Sequence, residues 1–543
     1  MKSHYNRMFF GMSRVSVILV AGIAFLGSVF TILHVLIGNV HTLPGTTYTW
    51  TGHYYLDYFY YLVPIGQGIR GDLMSQQQFS LFDNSIYPHL WPYILLGHLA
   101  RLLQLNVFTA YWGSVFIFTF LLIFLIYFVI DMILSGEPFY LKFVALLFTL
   151  FSVPFAGYDF WYSQSIFFRR FEPIPHHLLS SIAVVSGFIL TAKLLEGIGK
   201  SYTETIKKSL LIALILIGVA SFNSYHVVMP LSAIAAAFFI YPFVFRPFKH
   251  SSFIYAMSVF IITVGLVGIF VMVLKNFYTD STFMAAFKKT EVGLFLVPPL
   301  HTLILSIGPI VLLLPFGILR FFKSPNMMKY LIISIVVTGF ALYFSDVDRM
   351  IGTHKGRFLT SYIYLFYGPT AAYGLKTLMN WSGKFKFIVF TLILLVIGWY
   401  ITRYNIWVLG EVAGDRNINS PLSYLPKGIF SGLKFLEEQK ENKAVLTTPS
   451  QFLGQVIPAF VGKKMYVARH IVTSFYEEKA ARSNRFYLGM DRPEATEFVK
   501  SQGIGFVVLT SIEGYDSKVL YRYPFLKEIY KNKDIVIFEV KEK

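Results

Sequence analysis

Residues Val15–Gly38 read VSVILVAGIAFLGSVFTILHVLIG, and residues His53–Gly68 read HYYLDYFYYLVPIGQG. The first stretch has no charged side chain. At 1.5 Å of rise per residue it is long enough to cross the roughly 30 Å hydrocarbon core of a bilayer as a helix. The second gathers five tyrosines and a phenylalanine around one acid, Asp57. Tyrosine beside an apolar run is what the lipid–water interface selects. Together the stretches predict a membrane span and then an outward loop carrying an isolated carboxylate.

The rest of the chain has the same character. Of 543 residues, 55% are hydrophobic and 14% charged, with a mean hydropathy of +0.59; a soluble domain carries about 25% charged residues. Apolar runs place further spans near Val107–Ile133, Phe139–Tyr158, His177–Leu195, Ser209–Phe222, Val227–Phe245, Phe253–Leu274, Pro298–Leu319, Tyr330–Phe344, Phe358–Met379 and Phe387–Ile401. The expectation is an α-helical polytopic membrane protein of about eleven transmembrane helices. The segment Leu90–Asn106 is apolar and helical in period but interrupted by His98 and Arg101, so it reads as an interfacial helix. The basic amino terminus reads as the flank of an uncleaved first span, because no small-residue cleavage site precedes the aromatic loop.

The net charge of +18 comes from 47 basic and 29 acidic residues. Many of the basic residues fall in short loops between spans: Lys200, Lys207 and Lys208, then Arg246 and Lys249, then Arg320 and Lys323, then Lys384 and Lys386. All share one side, which the positive-inside rule makes cytoplasmic. The charge is therefore an orientation signal, and no nucleic-acid partner is expected. The amino terminus is then cytoplasmic, and the protein is expected in the plasma (cytoplasmic) membrane as a multi-pass protein. The absence of cysteine excludes disulfides, thiolate metal sites and cysteine nucleophiles.

Composition changes near residue 404. Beyond it, helix-like segments (PKGIFSGLKFLEEQK, SFYEEKAARSNRFYLG, RPEATEFVKSQ) mix with strand-like ones (KAVLTT, KKMYVA, IGFVVLT, DIVIFEV), which predicts a small α/β domain. Residues 1–403 are thus expected to form the transmembrane domain, with a long first outside loop at 39–106. Residues 404–543 are expected to form a soluble extracytoplasmic domain.

The centres of the expected spans are nearly free of charge, unlike those of a transporter. Ionisable groups gather in outside loops instead: Asp57 with His53, Arg70, Asp72, Asp83 and His89; then Asp159, Arg169, Arg170, Glu172, His176 and His177; then His226; then Asp346, Asp348, Arg349, His354, Lys355 and Arg357. Such a surface suits a reaction between a lipid-linked substrate and a polar acceptor. Arginines would hold the phosphate oxygens, aromatic rings would line the sugar and lipid groove, and a carboxylate would take the proton of an attacking hydroxyl.

A first span, then YYLDYFYYLVPIGQGIRG, then YPHLWPYILLGHLARLLQLN resembles the C class of membrane glycosyltransferases (GT-C), in particular its bacterial members. The segment YLPKGIFSGLKFLEEQKENKAVLTTPSQFLGQVIPAFVGKKMYVARH resembles the extracytoplasmic domain that some of them carry. The resemblance implies a GT-C-like fold and transfer of a sugar from a polyprenyl-phosphate donor to an acceptor outside the membrane. It also implies that an acid of the first outside loop acts as general base or helps bind a metal. Asp57 matches that position, but Tyr58 stands where many members have a second acid, which weakens the case for a divalent metal.

Each candidate also has a plainer reading. Asp57 could cap a short helix starting at Tyr58. Arg169, Arg170 and Glu172 could be a solvated loop with an internal ion pair; as ligands, the arginines would face a phosphate. His176 and His177 could mark the interface, and His226 could be a satisfied polar residue. Asp346 and Asp348 have D-x-D spacing, common by chance. Arg349, Lys355 and Arg357 are candidates for the lipid phosphate, with anchoring to ordinary anionic membrane lipids as the alternative. The reading is a membrane glycosyltransferase with Asp57 catalytic and Arg169, Arg170, Glu172, His176, Arg349, Lys355 and Arg357 binding substrate. Its rivals are a flippase of lipid-linked glycans and an inactive assembly protein on the same scaffold.

Overall fold

The structure, a computed structural model, describes residues 14–51, 55–81, 86–158, 170–171, 173–197, 201–244, 250–279, 298–323, 325–359, 362–413, 420–439, 443–450, 452–470 and 472–541. Its first helices are α1 (Arg14–Val40), α2 (Tyr55–Arg70), α3 (Trp91–Leu102), α4 (Val107–Ile133), α5 (Phe139–Phe151), α6 (Pro175–Gly197), α7 (Tyr202–Asn223), α8 (Tyr225–Val244) and α9 (His250–Thr279). Then come α10 (Leu300–Leu305), α11 (Leu314–Lys323), α12 (Met327–Tyr343), α13 (Val347–Ile351), α14 (Gly356–Leu359), α15 (Tyr364–Trp381) and α16 (Lys386–Ala413). The last four are α17 (Lys427–Glu438), α18 (Leu453–Phe460), α19 (Tyr476–Gly489) and α20 (Arg492–Ser501). The strands are β1 (Thr46–Tyr48), β2 (Tyr424–Pro426), β3 (Ala444–Leu446), β4 (Ile504–Thr510), β5 (Leu526–Lys531) and β6 (Ile535–Val540).

Among the described residues, six helices are long and apolar enough to cross a membrane, lying in α1, α4, α6, α7, α9 and the stretch Gly383–Ala413; α5, α8 and α12 are apolar but shorter. Several expected spans are not continuous helices. The one expected at Phe139–Tyr158 stops at Phe151, three residues before Pro154, since proline disfavours helical backbone in the residue before it. The one expected at Pro298–Leu319 breaks after α10 and resumes through a 3-10 turn, Pro309–Leu313. Gly308 sits at the break with φ +74°, and a Cβ there would run into the carbonyl oxygen of Val153. Only glycine meets both demands. The span expected at Phe358–Met379 is divided between α14 and α15, with Tyr362 at φ 72° between them.

The chain forms two compact units: Met1–Ile32 with Val115–Asp280 and Lys288–Leu409, and Leu33–Ser114 with Ser281–Phe287 and Gly410–Lys543. In the first, α15 lies against α5 and α11 over an apolar interior that includes Val144, Phe148, Ile310, Leu313, Leu375 and Ile397. Small residues allow this approach, as is usual between membrane helices. Between α4 and α5, Glu137 accepts from Lys376 Nζ and from Arg320 Nη2, the latter at 3.4 Å.

The second unit joins the first outside loop to the tail. Strand β1 pairs antiparallel with β2, Thr47 opposite Leu425. The tail's larger sheet has the order β3-β4-β6-β5, with β3 and β4 parallel and the other pairs antiparallel. The segment KKMYVA, expected as a full strand, contributes a single parallel bridge from Met465 to Val445. The core beneath this sheet includes Leu446, Tyr466, Phe486, Phe498, Val507 and Phe538. Residues 77–80 of the loop bond the tail through Met465 N–H to Gln78 O (2.9 Å), Gln77 Nε2 to Val472 O (3.0 Å), Thr473 Oγ1 to Phe79 O (2.9 Å) and Lys479 Nζ to Ser80 Oγ (3.0 Å).

Candidate functional site

Asp57 lies on α2, which starts at Tyr55 and not at Tyr58. The acid is therefore inside the first turn and does not occupy the cap position that the sequence also allowed. Its Oδ1 accepts from Arg469 Nη1 at 3.0 Å, and the two side chains are 45% and 11% exposed respectively. No other hydrogen bond to the Asp57 carboxylate is made by the described residues.

The aromatic residues around it face inward. Tyr58 is buried, with its ring 5.9 Å from that of Trp112 and 5.0 Å from that of Tyr111, and its hydroxyl donates to Thr49 O at 3.2 Å. Tyr61 stacks on Tyr93 at 4.8 Å and 9°. Phe59 meets Phe460 of α18. The close crossing of α2 over α3 is set by Gly68 and Gly97, where a Cβ on either would strike the backbone carbonyl of Ile94 or Ile65. These tyrosines are packed core, with Asp57 at its polar edge.

The other candidates belong to the first unit. Arg170 is buried and donates to the carbonyls of Thr149 and Leu150, both at 2.6 Å, and to the carbonyl and hydroxyl of Ser152. It closes the carboxyl end of α5, where helix carbonyls lack intrahelical partners, so the phosphate role expected for it gives way to a capping role. Burial pulls its guanidinium down to about 10. Lys355 pairs with Asp346 at 3.6 Å, and Arg349 is exposed on α13. Arg169 and Glu172, like His53, Asp83 and Asp159, lie outside the described residues.

Arg357 stands among histidines. Its guanidinium is 5.3 Å from the ring centre of Tyr225, and its charge acts on His177, His226 and His354. The rings of His176 and His177 are 4.3 Å apart, and those of His177 and His226 are 4.8 Å apart. Burial, then the Arg357 charge, push His354 down to about 3. Imidazoles beside one guanidinium bring together positive charge and N–H groups, the donor chemistry that phosphate oxygens accept. Asp348 is buried, with no partner for Oδ1 among the described residues, while Asp346 is exposed, so the two acids of D-x-D do not converge. Among the described residues no three His, Asp or Glu side chains gather where a metal ion could sit.

Sequence reasoning missed Arg469 and the association of His177, His226 and His354 with Arg357. The signal for Arg469 was its place just after a β-like run, MYVA, since the carboxyl ends of parallel strands are where α/β sheets present functional groups.

No protein-family model matches the sequence, and no curated protein is similar to it in sequence. Solved structures do match. A mycobacterial arabinofuranosyltransferase, AftD, superposes with a TM-score of 0.57 at 12% identity, over 98% of this chain and 40% of that one. The oligosaccharyltransferase of Archaeoglobus fulgidus superposes with a TM-score of 0.51 at 12% identity, over 90% of this chain and 70% of that one. This chain therefore spans well under half the length of AftD. Both are membrane glycosyltransferases of the C class. The chain has the GT-C fold.

Proposed function

We propose that this protein is an integral-membrane glycosyltransferase that moves a sugar from a polyprenyl-phosphate donor to an extracytoplasmic acceptor. Asp57 is the general base in this reading. The observation that carries it is the state of that carboxylate: held on a packed helix, half-exposed, with Oδ1 on Arg469 and Oδ2 left without a hydrogen bond from the described residues. A catalytic base needs both a fixed position and an open lone pair.

In the reaction, Oδ2 takes the proton of the acceptor hydroxyl as its oxygen bonds the anomeric carbon. The bond from that carbon to the phosphate oxygen breaks, and the electron pair leaves with the polyprenyl phosphate. Within the first unit, Arg357 with His177, His226 and His354 is the group whose chemistry suits the donor phosphate. His176, Arg349 and Lys355 serve as its outer contacts and as anchors to membrane lipid. The fold shared with an arabinofuranosyltransferase and an oligosaccharyltransferase supports sugar transfer as the reaction class. The test offers membranes containing the protein a panel of polyprenyl-phosphate sugars and follows labelled sugar into lipid, glycan and protein. Transfer from at least one donor, lost when the protein is omitted, supports the reading; no transfer from any, with donor lipid carried across the bilayer instead, refutes it.

A further inference from the structure

We infer that Arg469 is a positioning residue for Asp57, so that the extracytoplasmic tail supplies part of the catalytic centre and is not an accessory domain. The inference rests on the assignment of Asp57 as base. The two residues are 412 positions apart in sequence, and each is held independently of the other. Asp57 rides on α2, fixed by the glycine crossing with α3 and by the Tyr61–Tyr93 stack. Arg469 sits in a turn closed by the amides of Val472 and Thr473, which both donate to its carbonyl. Thr473 Oγ1 locks that turn, accepting from Ala468 N–H and donating to Phe79 O.

The pair is asymmetric in a way that a surface ion pair is not. The Arg469 side chain is 11% exposed and that of Asp57 is 45% exposed. Two mobile exposed charges would contribute little. Here a largely buried guanidinium grips one oxygen of a half-exposed carboxylate, which favours one rotamer and leaves the second oxygen for another partner. Holding a reacting group in this way is where orientation contributes to rate, and misplacing one by about 1 Å costs on the order of 100-fold.

The experiment uses the full-length protein in membranes or nanodiscs, with the best donor from the panel, and compares Arg469→Lys, Arg469→Ala, Arg469→Met, Asp57→Asn and the double variant Asp57→Asn/Arg469→Met. Thermal unfolding of each reports folding separately. The expected result is a fall in kcat of about 10- to 100-fold for Arg469→Ala and Arg469→Met, with donor KM unchanged and Arg469→Lys intermediate. Millimolar guanidinium restores part of the rate of Arg469→Ala but not of Arg469→Met, whose side chain fills the space, nor of Asp57→Asn. The double variant is no slower than Asp57→Asn alone. Wild-type kcat in Arg469→Met alongside an inactive Asp57→Asn overturns the positioning role and leaves the base assignment standing. A loss in Arg469→Ala that guanidinium does not touch, matched by a lowered unfolding temperature, makes Arg469 structural only. Undiminished transfer by Asp57→Asn removes the base and this role with it.

Discussion

Arg170 Nη1 donates to the carbonyl oxygen of Thr149 at 2.6 Å, and so finishes a helix from a position 21 residues downstream. The arginine sits in a loop that looked ready to bind phosphate, yet its donors turn inward to the last carbonyls of α5. Replacing it with methionine leaves buried acceptors without donors, at about 1–3 kcal/mol for each one left unsatisfied. Arg170→Met should therefore lower the thermal midpoint of the purified protein, and the fraction that remains folded should keep the wild-type donor KM. A raised donor KM with unchanged stability would return Arg170 to the phosphate site.

His354 makes stability dependent on pH. Its folded-state value, about 3, lies below the ordinary 6.5, so the unfolded chain binds the proton first. The stabilisation is fully present above about 6.5 and is lost progressively as pH falls toward 3, at about 1.4 kcal/mol per unit of difference. Thermal unfolding between pH 7 and 4 should show this loss, and His354→Gln should flatten the slope. An identical slope in the variant assigns the acid sensitivity elsewhere.

Gly68→Ala tests the scaffold under Asp57. The added methyl meets the carbonyl of Ile94, and overpacking of this kind typically costs about 1–3 kcal/mol. Limited proteolysis should cut the first outside loop faster in this variant, and transfer should fall even where the chain stays folded. Wild-type protection would mean that the α2–α3 crossing yields easily.

Glu137→Gln examines the ion cluster between α4 and α5. It leaves Arg320 and Lys376 facing each other without their shared anion. Stripping a partner from a buried pair costs roughly 3–5 kcal/mol; Arg320, at 31% exposed, brings the expected loss below that range. The readout is the unfolding temperature in detergent, which should drop while donor KM stays constant. No drop would show that solvent screens these cations.

What the sequence made legible was whatever local pattern controls. The long apolar helices α1, α4, α6, α7 and α9 follow directly from runs of residues that lipid accepts, and the tail's strands β4 and β6 from β-branched runs. Even the break at Gly308–Pro309 was written in the chain, although a hydropathy average passes over it. The site was less legible because its relationships are distant. Asp57 was visible as a lone acid, but nothing near it indicates Arg469. Arg170 and Arg357 look alike in sequence; one caps a helix and the other stands among histidines, and only packing separates them.

The central claim is that Asp57 performs the proton transfer of a glycosyltransferase reaction. The most direct measurement is the initial rate of sugar transfer from a polyprenyl-phosphate donor by membranes carrying equal amounts of folded wild-type protein and Asp57→Asn. The account predicts a rate at least about 100-fold lower in the variant, within the usual range for a general base, with donor binding retained. Transfer by Asp57→Asn at the wild-type rate would contradict it.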